Sequence, residues 1–211
     1  MPAASLQIPP LARIGRSCGP AGAHPIRAHS VAAAPSESRM PVCETFLADI
    51  LKPYRRNARY LVSAEITHVS NVASRQPMQL RSSLMRGMGT FAIPQSCDID
   101  DAGHFNAVEF TICYNQLAYV LVGKCIATGL LEDLRFLTFA EYKRQQLPSW
   151  LIVSIESQYL KSLNRERFYG ELSLNRVVAV HRALFFFTTI TFSDEEEVKA
   201  TGSVVLAFKP A

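Results

Sequence analysis

The chain reads GHFNAVEFTICYNQLAYVLVGKCIATGLL from Gly103 to Leu131, and this segment is the most informative about the fold. A glycine turn leads into a segment that is apolar on nearly every side, which is typical of a helix buried in a core. Asn106 and Glu109 have the spacing of a capping box, with Asn106 as the N-cap residue. The stretch therefore predicts a long central helix that begins at Asn106 and ends near Leu131.

Candidate strands lie on both sides of this helix in the sequence. Before it, a short helix over residues 46–51 ends at Pro53, and strands are predicted over residues 60–66 and 84–93. After a short helical turn come four segments rich in β-branched or aromatic residues, at Trp150–Tyr159, Phe168–Asn175, Leu184–Phe192 and Val198–Phe208. A buried helix between two groups of strands predicts an α+β fold with a sheet wrapped around the helix.

The 211 residues are predicted to form one domain, residues 40–211, after an N-terminal segment of residues 1–39. This segment contains half of the twelve prolines together with many Ala and Ser residues, and we predict that it is disordered. Its Arg-rich, acid-poor composition also fits an organellar transit peptide. The alternative is a start site assigned too far upstream, with Met40 as the true first residue.

Composition limits the classes of function. The formal net charge is +4, and the four Arg and one Glu of residues 1–39 supply most of it, so nucleic-acid binding is not indicated. The five cysteines form no CxxC pair and mostly have apolar neighbours, which predicts reduced, packed thiols in a cytoplasmic protein. Residues 114–131 come closest to a membrane span, but Asn115, Gln116 and Lys124 interrupt them, so no span is predicted.

The start of the central helix is a candidate catalytic site. A helix N-terminus presents unpaired N–H groups and a partial positive charge, which stabilise a developing oxyanion or enolate. Asn106 and Glu109 are explained either as caps alone or as caps that also serve such a site. His104 lies just before this terminus, where it is a candidate for proton transfer, and the alternative is a structural histidine.

Asn115 interrupts the apolar body of the helix, where an amide is costly unless it is paired. It either makes a buried hydrogen bond or orients a ligand, and Gln116 beside it has the same two explanations. The acidic turn at residues 98–101 near His104 matches no known metal-site spacing, so no metal and no cofactor are expected. Because nucleophile-elbow, phosphate-loop and dinucleotide motifs are also lacking, an enzyme would act by polarisation and proton transfer.

The segments GHFNAVE at residues 103–109 and CYNQLAY at residues 113–119 resemble the FcoT-type family of hot-dog-fold acyl-thioester enzymes. Weaker similarity extends over most of residues 43–208. The resemblance implies a hot-dog fold, in which a curved antiparallel sheet wraps a long central helix, and it implies a homodimer or higher homo-oligomer. It also implies substrates whose acyl chains are carried on CoA or on an acyl carrier protein.

The resemblance further implies which residues line the pocket. The family uses a Tyr after a Pro near the first helix, the Asn of GHFN and the Asn of CYNQ, which are Tyr54, Asn106 and Asn115 in this chain. A further family Tyr is replaced here by Asp98, which could supply a carboxylate base. Gly-His-Phe also resembles the motif of hot-dog 3-hydroxyacyl dehydratases, although Pro usually follows it there, and this implies that His104 faces the reactive carbons of the thioester.

Two activities are associated with this family, and both need a polarised thioester oxygen. We predict conjugate addition of glycine or a similar amine to the β-carbon of a 2-enoyl thioester. The predicted catalytic residues are His104, Asp98 and Asn106, and the predicted substrate-binding residues are Tyr54, Asn115 and Glu109. The alternative is a fatty acyl thioesterase in which Asp98 or Glu109 activates water. A third hypothesis is a non-catalytic module that binds an acyl carrier or a lipid.

Overall fold

The computed structural model describes residues 37–69, 85–100, 103–194 and 197–210. The elements before the central helix are β1 (Glu37–Pro41), α1 (Glu44–Leu51), β2 (Leu61–Val69) and β3 (Met85–Phe91). The central helix is α2 (Ala107–Thr128), and a short helix α3 (Phe139–Gln145) follows it. The last four strands are β4 (Trp150–Tyr159), β5 (Phe168–Val180), β6 (Ala183–Asp194) and β7 (Glu197–Phe208).

The seven described strands form one sheet in the order β1-β2-β3-β5-β6-β7-β4, and every neighbouring pair is antiparallel. Helix α2 packs against β2, β3 and β5, and α1 and α3 pack on the same helix. The predicted α+β architecture, a hot-dog fold with a long helix against an antiparallel sheet, is confirmed. β4 follows α2 and α3 in the chain but lies at the edge of the sheet, beside β7.

Local sequence determines where α2 ends. Gly129 adopts the left-handed conformation with φ of 67°, which costs glycine little because it has no Cβ atom. The N–H of Leu130 then donates to the carbonyl of Cys125 at 3.0 Å. The helix therefore stops at Thr128, three residues before the predicted end near Leu131.

The two short helices approach α2 closely at Gly123. A Cβ atom at this position would lie 2.9 Å from both Ile50 of α1 and Tyr142 of α3, so a larger residue would force these helices apart. The Tyr142 hydroxyl donates to the carbonyl of Tyr119 at 2.7 Å, which fixes α3 to the middle of α2. Both short helices thus lie beside the half of α2 that carries Tyr119.

Two parts of the sheet differ from the prediction. Glu37–Arg39, predicted to be disordered, pair with the end of β2 as part of β1, while residues 1–36 lie outside the described residues. β5 and β6 also extend beyond the predicted strands to a turn at residues 181–182. Strand pairing supplies the physical reason in both places, because each strand extends as far as a neighbouring strand is present to pair with it.

One face of α2 remains partly uncovered. Val108 is 45% exposed, and Ile112, Asn115 and Tyr119 are half-buried at helical spacing on the same face. We call these four residues the open stripe of α2. The prediction of a helix buried on every side is wrong for this stripe. The helix is long and apolar enough to cross a membrane, but most of it is buried inside the protein.

Candidate functional site

The predicted capping box at the start of α2 is confirmed. The Asn106 Oδ1 atom accepts from the N–H groups of Val108 at 2.8 Å and Glu109 at 3.0 Å, while Glu109 Oε2 accepts from the Asn106 N–H at 3.2 Å. Three of the terminal backbone donors are thus paired. Neither the Ala107 N–H nor the Asn106 side-chain N–H₂ has an acceptor among the described residues. These two donors are what the helix terminus offers to a ligand.

A buried ion pair joins the first turn of α2 to Arg165. Glu109 has no exposed surface, and its Oε1 atom lies 3.0 Å from Nη2 of Arg165. The two groups are close but not aligned as a hydrogen bond, so Oε1 has no hydrogen-bond partner among the described residues. The Arg165 carbonyl in turn accepts from the Ile93 N–H at 2.8 Å. Glu109, predicted to bind substrate, is therefore enclosed and positions the helix terminus.

A packed aromatic side chain anchors the turn that carries His104. Phe105 is buried, and its ring centroid lies 5.3 Å from that of Phe192 and 5.4 Å from that of Phe168. His104, beside it in the chain, is exposed and makes no hydrogen bond or ion pair with any other described residue. The turn therefore holds a solvent-accessible imidazole immediately before the N-cap Asn106.

A cleft of about 660 Å³ lies next to the Glu109–Arg165 ion pair. Ser96 lines it and donates a hydrogen bond to the exposed Asp98. The described lining residues are Ala92, Ile93, Pro94, Gln95, Ser96, Asp100, Arg165 and Glu166. Asp98 is thus hydrogen-bonded to one residue that lines the cleft, and Glu109 of α2 is ion-paired with another. No group of three potential metal-ligating side chains occurs in the described part of the chain.

The other predicted residues lie further along α2. Asn115 belongs to the open stripe, and its side chain makes no hydrogen bond to another described residue. Burial raises the pKa of Tyr54 far above its ordinary value, and the nearby Tyr119 and Cys113 add to the effect. The Tyr54 hydroxyl therefore stays protonated and can donate a hydrogen bond, but it cannot serve as a base near neutral pH.

The predicted residues accordingly form two groups. Asn106 and Asn115 are nine positions apart, which corresponds to roughly 14 Å along a helix. His104 and Asn106 stand at the helix start, whereas Asn115 and Tyr54 stand near its middle. An extended thioester lying along α2 could contact both groups, but one small reacting group could not.

Gln116 makes buried hydrogen bonds, which is one of the two explanations that the sequence left open for it. Its side chain is fully buried, and Oε1 accepts from the N–H groups of Tyr60 at 3.0 Å and Leu61 at 2.9 Å. Its Nε2 atom donates to the carbonyl of Ala58 at 2.5 Å. Gln116 therefore clamps the segment that follows Tyr54 onto α2. The sequence feature that could have predicted this role is an amide side chain within an apolar helix, but the neighbouring Asn115 has the same feature.

Gln116→Leu is expected to lower the free energy of unfolding by about 3 kcal/mol, because it leaves three buried backbone groups without partners. Urea unfolding followed by circular dichroism at a fixed protein concentration would measure the loss. Asn115→Leu is the matched control and should cost less than about 1 kcal/mol, since Asn115 has no such partners. Equal losses for the two variants would contradict the clamp.

Comparison with known proteins assigns the family. The FcoT-like thioesterase domain matches residues 49–208. A relative from Streptomyces coeruleorubidus is 32% identical over 170 residues, which cover 78% of this chain and 96% of its own. One from Mycobacterium bovis is 30% identical over 176 residues, which cover 82% and 90%. Both are named (2E)-enoyl-[ACP] glycyltransferase.

A solved thioesterase structure from Pseudomonas aeruginosa is a more distant likeness. It covers 63% of this chain and 78% of its own at 12% identity and a TM-score of 0.36. The family match extends over most of the domain and includes both groups of site residues. The chain therefore belongs to the FcoT-like thioesterase domain family, and it is an enzyme of that family with a hot-dog fold.

Proposed function

We propose that the protein adds glycine, or a similar small amine, to the β-carbon of a 2-enoyl thioester and so forms a β-amino acyl thioester. The observation that carries the proposal is the similarity to enzymes named (2E)-enoyl-[ACP] glycyltransferase over at least 90% of their length. The start of α2 supports it, because two open N–H donors lie there close in sequence to an exposed histidine. The enoyl substrate is proposed to be carried on an acyl carrier protein or CoA.

The proposed reaction keeps the thioester bond intact. The amine nitrogen forms a bond to the β-carbon, and the π electrons of the double bond move towards the carbonyl, so that the thioester oxygen becomes an enolate. The new ammonium then loses a proton, and the α-carbon gains one as the enolate collapses. Atoms and electrons balance without an oxidant or a reductant.

The proposed roles follow from the geometry. The Asn106 N–H₂ and the Ala107 N–H donate to the enolate oxygen, and the positive end of the helix dipole favours its charge. His104 carries the proton from the ammonium to the α-carbon, with Asp98 as the alternative base. Tyr54 and Asn115 orient the thioester arm further along the helix.

The two cysteines of α2 are unsuited to form a covalent thiol intermediate. Cys43, Cys97, Cys113 and Cys125 are all free. Burial raises the pKa of Cys113 well above its ordinary value and raises that of Cys125 to about 12, so neither is a thiolate nucleophile near neutral pH. Free thiols also support the proposed cytoplasmic location.

Mass spectrometry of the purified protein with a medium-chain 2-enoyl thioester, with and without glycine, tests the proposal. A gain of one glycine mass on the intact thioester is expected. Parallel reactions with other small amines would define the amine specificity. Release of free acid and thiol without any adduct would contradict the proposal.

Thioester hydrolysis is the alternative, and the description of the matching family favours it. Asp98 is then the proposed base, because it is exposed whereas Glu109 is enclosed. Asp98→Asn should abolish most of the hydrolysis of a saturated acyl-CoA if this alternative is correct. Normal hydrolysis by the variant would remove Asp98 from the mechanism.

The two edges of the sheet differ in a way that supports the proposed homodimer. β1 is a five-residue edge strand that contains Arg39 and Pro41, both of which discourage further pairing. β4 is ten residues long, and Leu151, Val153 and Ile155 on it are 39–55% exposed. A long apolar edge is a ready template for a second strand. We therefore propose that two copies pair along β4.

Ile155→Lys is expected to shift the dimer to monomers, with the dissociation constant raised about tenfold or more, because a charge would be buried in the interface. Sedimentation velocity over a concentration series would measure the change. Val62→Lys is the matched control, since Val62 is 58% exposed on β2, away from β4. Dimers of unchanged affinity in both variants would show that β4 is not the interface.

A further inference from the structure

The segment Lys52–Arg59 is the most concentrated positive surface in the described part of the domain. Its four cations, Lys52, Arg55, Arg56 and Arg59, are all exposed, and the segment contains no acidic residue. None of the four forms an ion pair with another described residue. We call these eight residues the basic loop.

The charge of the loop contrasts with that of the domain around it. The chain has a net charge of +4, and the first 39 residues supply +3, so the domain carries only +1. The loop alone carries +4, which leaves −3 for the rest of the domain. An acidic partner would therefore be attracted to the loop, whereas the rest of the domain carries a net negative charge.

The loop is held in a defined conformation. The Arg59 guanidinium donates to the carbonyls of Tyr54 at 3.0 Å and Lys52 at 3.2 Å, and the Tyr54 N–H donates to the carbonyl of Leu51 at 3.0 Å. Gln116 clamps the following residues to α2. The cations are therefore presented beside Tyr54 without a large loss of backbone entropy on binding.

We propose that the basic loop is the docking surface for an acidic acyl carrier protein, which delivers its acyl arm past Tyr54 to α2. The inference rests on the proposed function for the presence of an acyl thioester. Four exposed cations along eight residues match a broad acidic surface. A site for a single phosphate would need converging donors, and the one guanidinium with fixed partners, Arg59, is engaged by backbone carbonyls.

The position of the loop is compatible with the proposed dimer. The loop directly precedes β2, which is the second strand of the sheet order, whereas β4 is the last strand. Two copies that pair along β4 would therefore meet at one edge of the sheet, while the loop lies near the other edge.

The test compares Arg55→Glu/Arg56→Glu with the matched charge reversal Arg182→Glu/Lys209→Glu. Neither the Arg55 nor the Arg56 side chain hydrogen-bonds to another described residue, so the first variant should fold. Arg182 and Lys209 are exposed cations of a second basic patch, where a turn and the end of β7 meet. The probe is a fluorescently labelled acyl carrier protein from fatty acid synthesis. Its acyl chain is attached through an amide in place of the thioester, so that binding is measured without turnover.

Fluorescence anisotropy should show a carrier dissociation constant raised about tenfold or more by the loop variant and less than about twofold by the control. Wild-type affinity should fall as NaCl rises from about 50 to about 300 mM, because salt screens exposed charges. With glycine and a neutral 2-enoyl thioester of pantetheine, the loop variant should form the adduct at a rate within about twofold of that of wild type. Weaker binding of the carrier protein, together with normal turnover of the pantetheine substrate, would support docking at the loop.

Equal carrier affinities for the two variants would overturn the proposal, as would a larger effect of the control. A loss of binding to the CoA form of the amide, with carrier binding unchanged, would also overturn it and identify a small-anion site. Because binding is measured without turnover, an absence of amine adduct with the wild-type enzyme would contradict the proposed reaction and leave the docking result intact.

Discussion

Asn106→Asp is expected to lower kcat with a 2-enoyl thioester by about 10²–10³-fold, the cost of removing one donor to a developing oxyanion. The Oδ1 atom of Asn106 already caps the helix, whereas its N–H₂ group has no acceptor among the described residues. Asp caps a helix as well as Asn does, so the free energy of unfolding should change by less than about 0.5 kcal/mol. Steady-state kinetics and urea unfolding of the same preparation would separate the two roles.

Asn106→Ala provides the comparison, because it removes both the cap and the donor. It should lower the free energy of unfolding by about 1 kcal/mol and lower kcat by a similar factor to Asn106→Asp. Undiminished turnover by Asn106→Asp would show that the residue serves only as a cap. The open N–H₂ group would then have no part in the reaction.

Arg165→Met is expected to destabilise the protein by about 3–5 kcal/mol, because it leaves the fully buried Glu109 carboxylate without its ion-pair partner. Urea unfolding would measure the loss. A change of this size would leave little of the stability of a typical domain. The Glu109→Gln/Arg165→Met double variant should recover most of it, since a neutral amide replaces the unpaired charge.

An exposed ion pair elsewhere in the protein is the control. Arg39 lies 3.9 Å from Glu65, and the two side chains are 72% and 39% exposed, so Arg39→Met should cost less than about 1 kcal/mol. A loss of similar size for Arg165→Met would contradict the structural role of the buried pair. Failure of the double variant to recover stability would show that Arg165 acts through its other contacts.

Local patterns predicted most of the fold. The bounds of β4 agree with those predicted, and the capping box at Asn106 and the glycine after Thr128 explain both ends of α2. These features depend on residues close together in the chain, so the sequence displays them directly. β1 could not be predicted in this way, because its residues are ordered by pairing with a strand more than twenty positions later.

The candidate site was predictable in part. GHFN and CYNQ drew attention to His104, Asn106 and Asn115, and the resemblance singled out Asn115, but the apolar pattern of the helix gave Asn115 and Gln116 the same two explanations. The fold separates them, since Gln116 points to the backbone of β2 and Asn115 lies on the open stripe. Arg165 carried no local signal at all, because its partner Glu109 is far away in the chain.

Sequence patterns were sufficient to predict the α+β class, the central helix with its caps, the family resemblance and the set of polar residues at the helix start. Which of these polar groups remain available to a ligand was visible only in the folded protein. The physical reason is that a donor, acceptor or charge is available only when no other buried group satisfies it, and those groups come from distant parts of the chain. Folding therefore enclosed Glu109 and Gln116 and left His104, Asn115 and the Asn106 amide open.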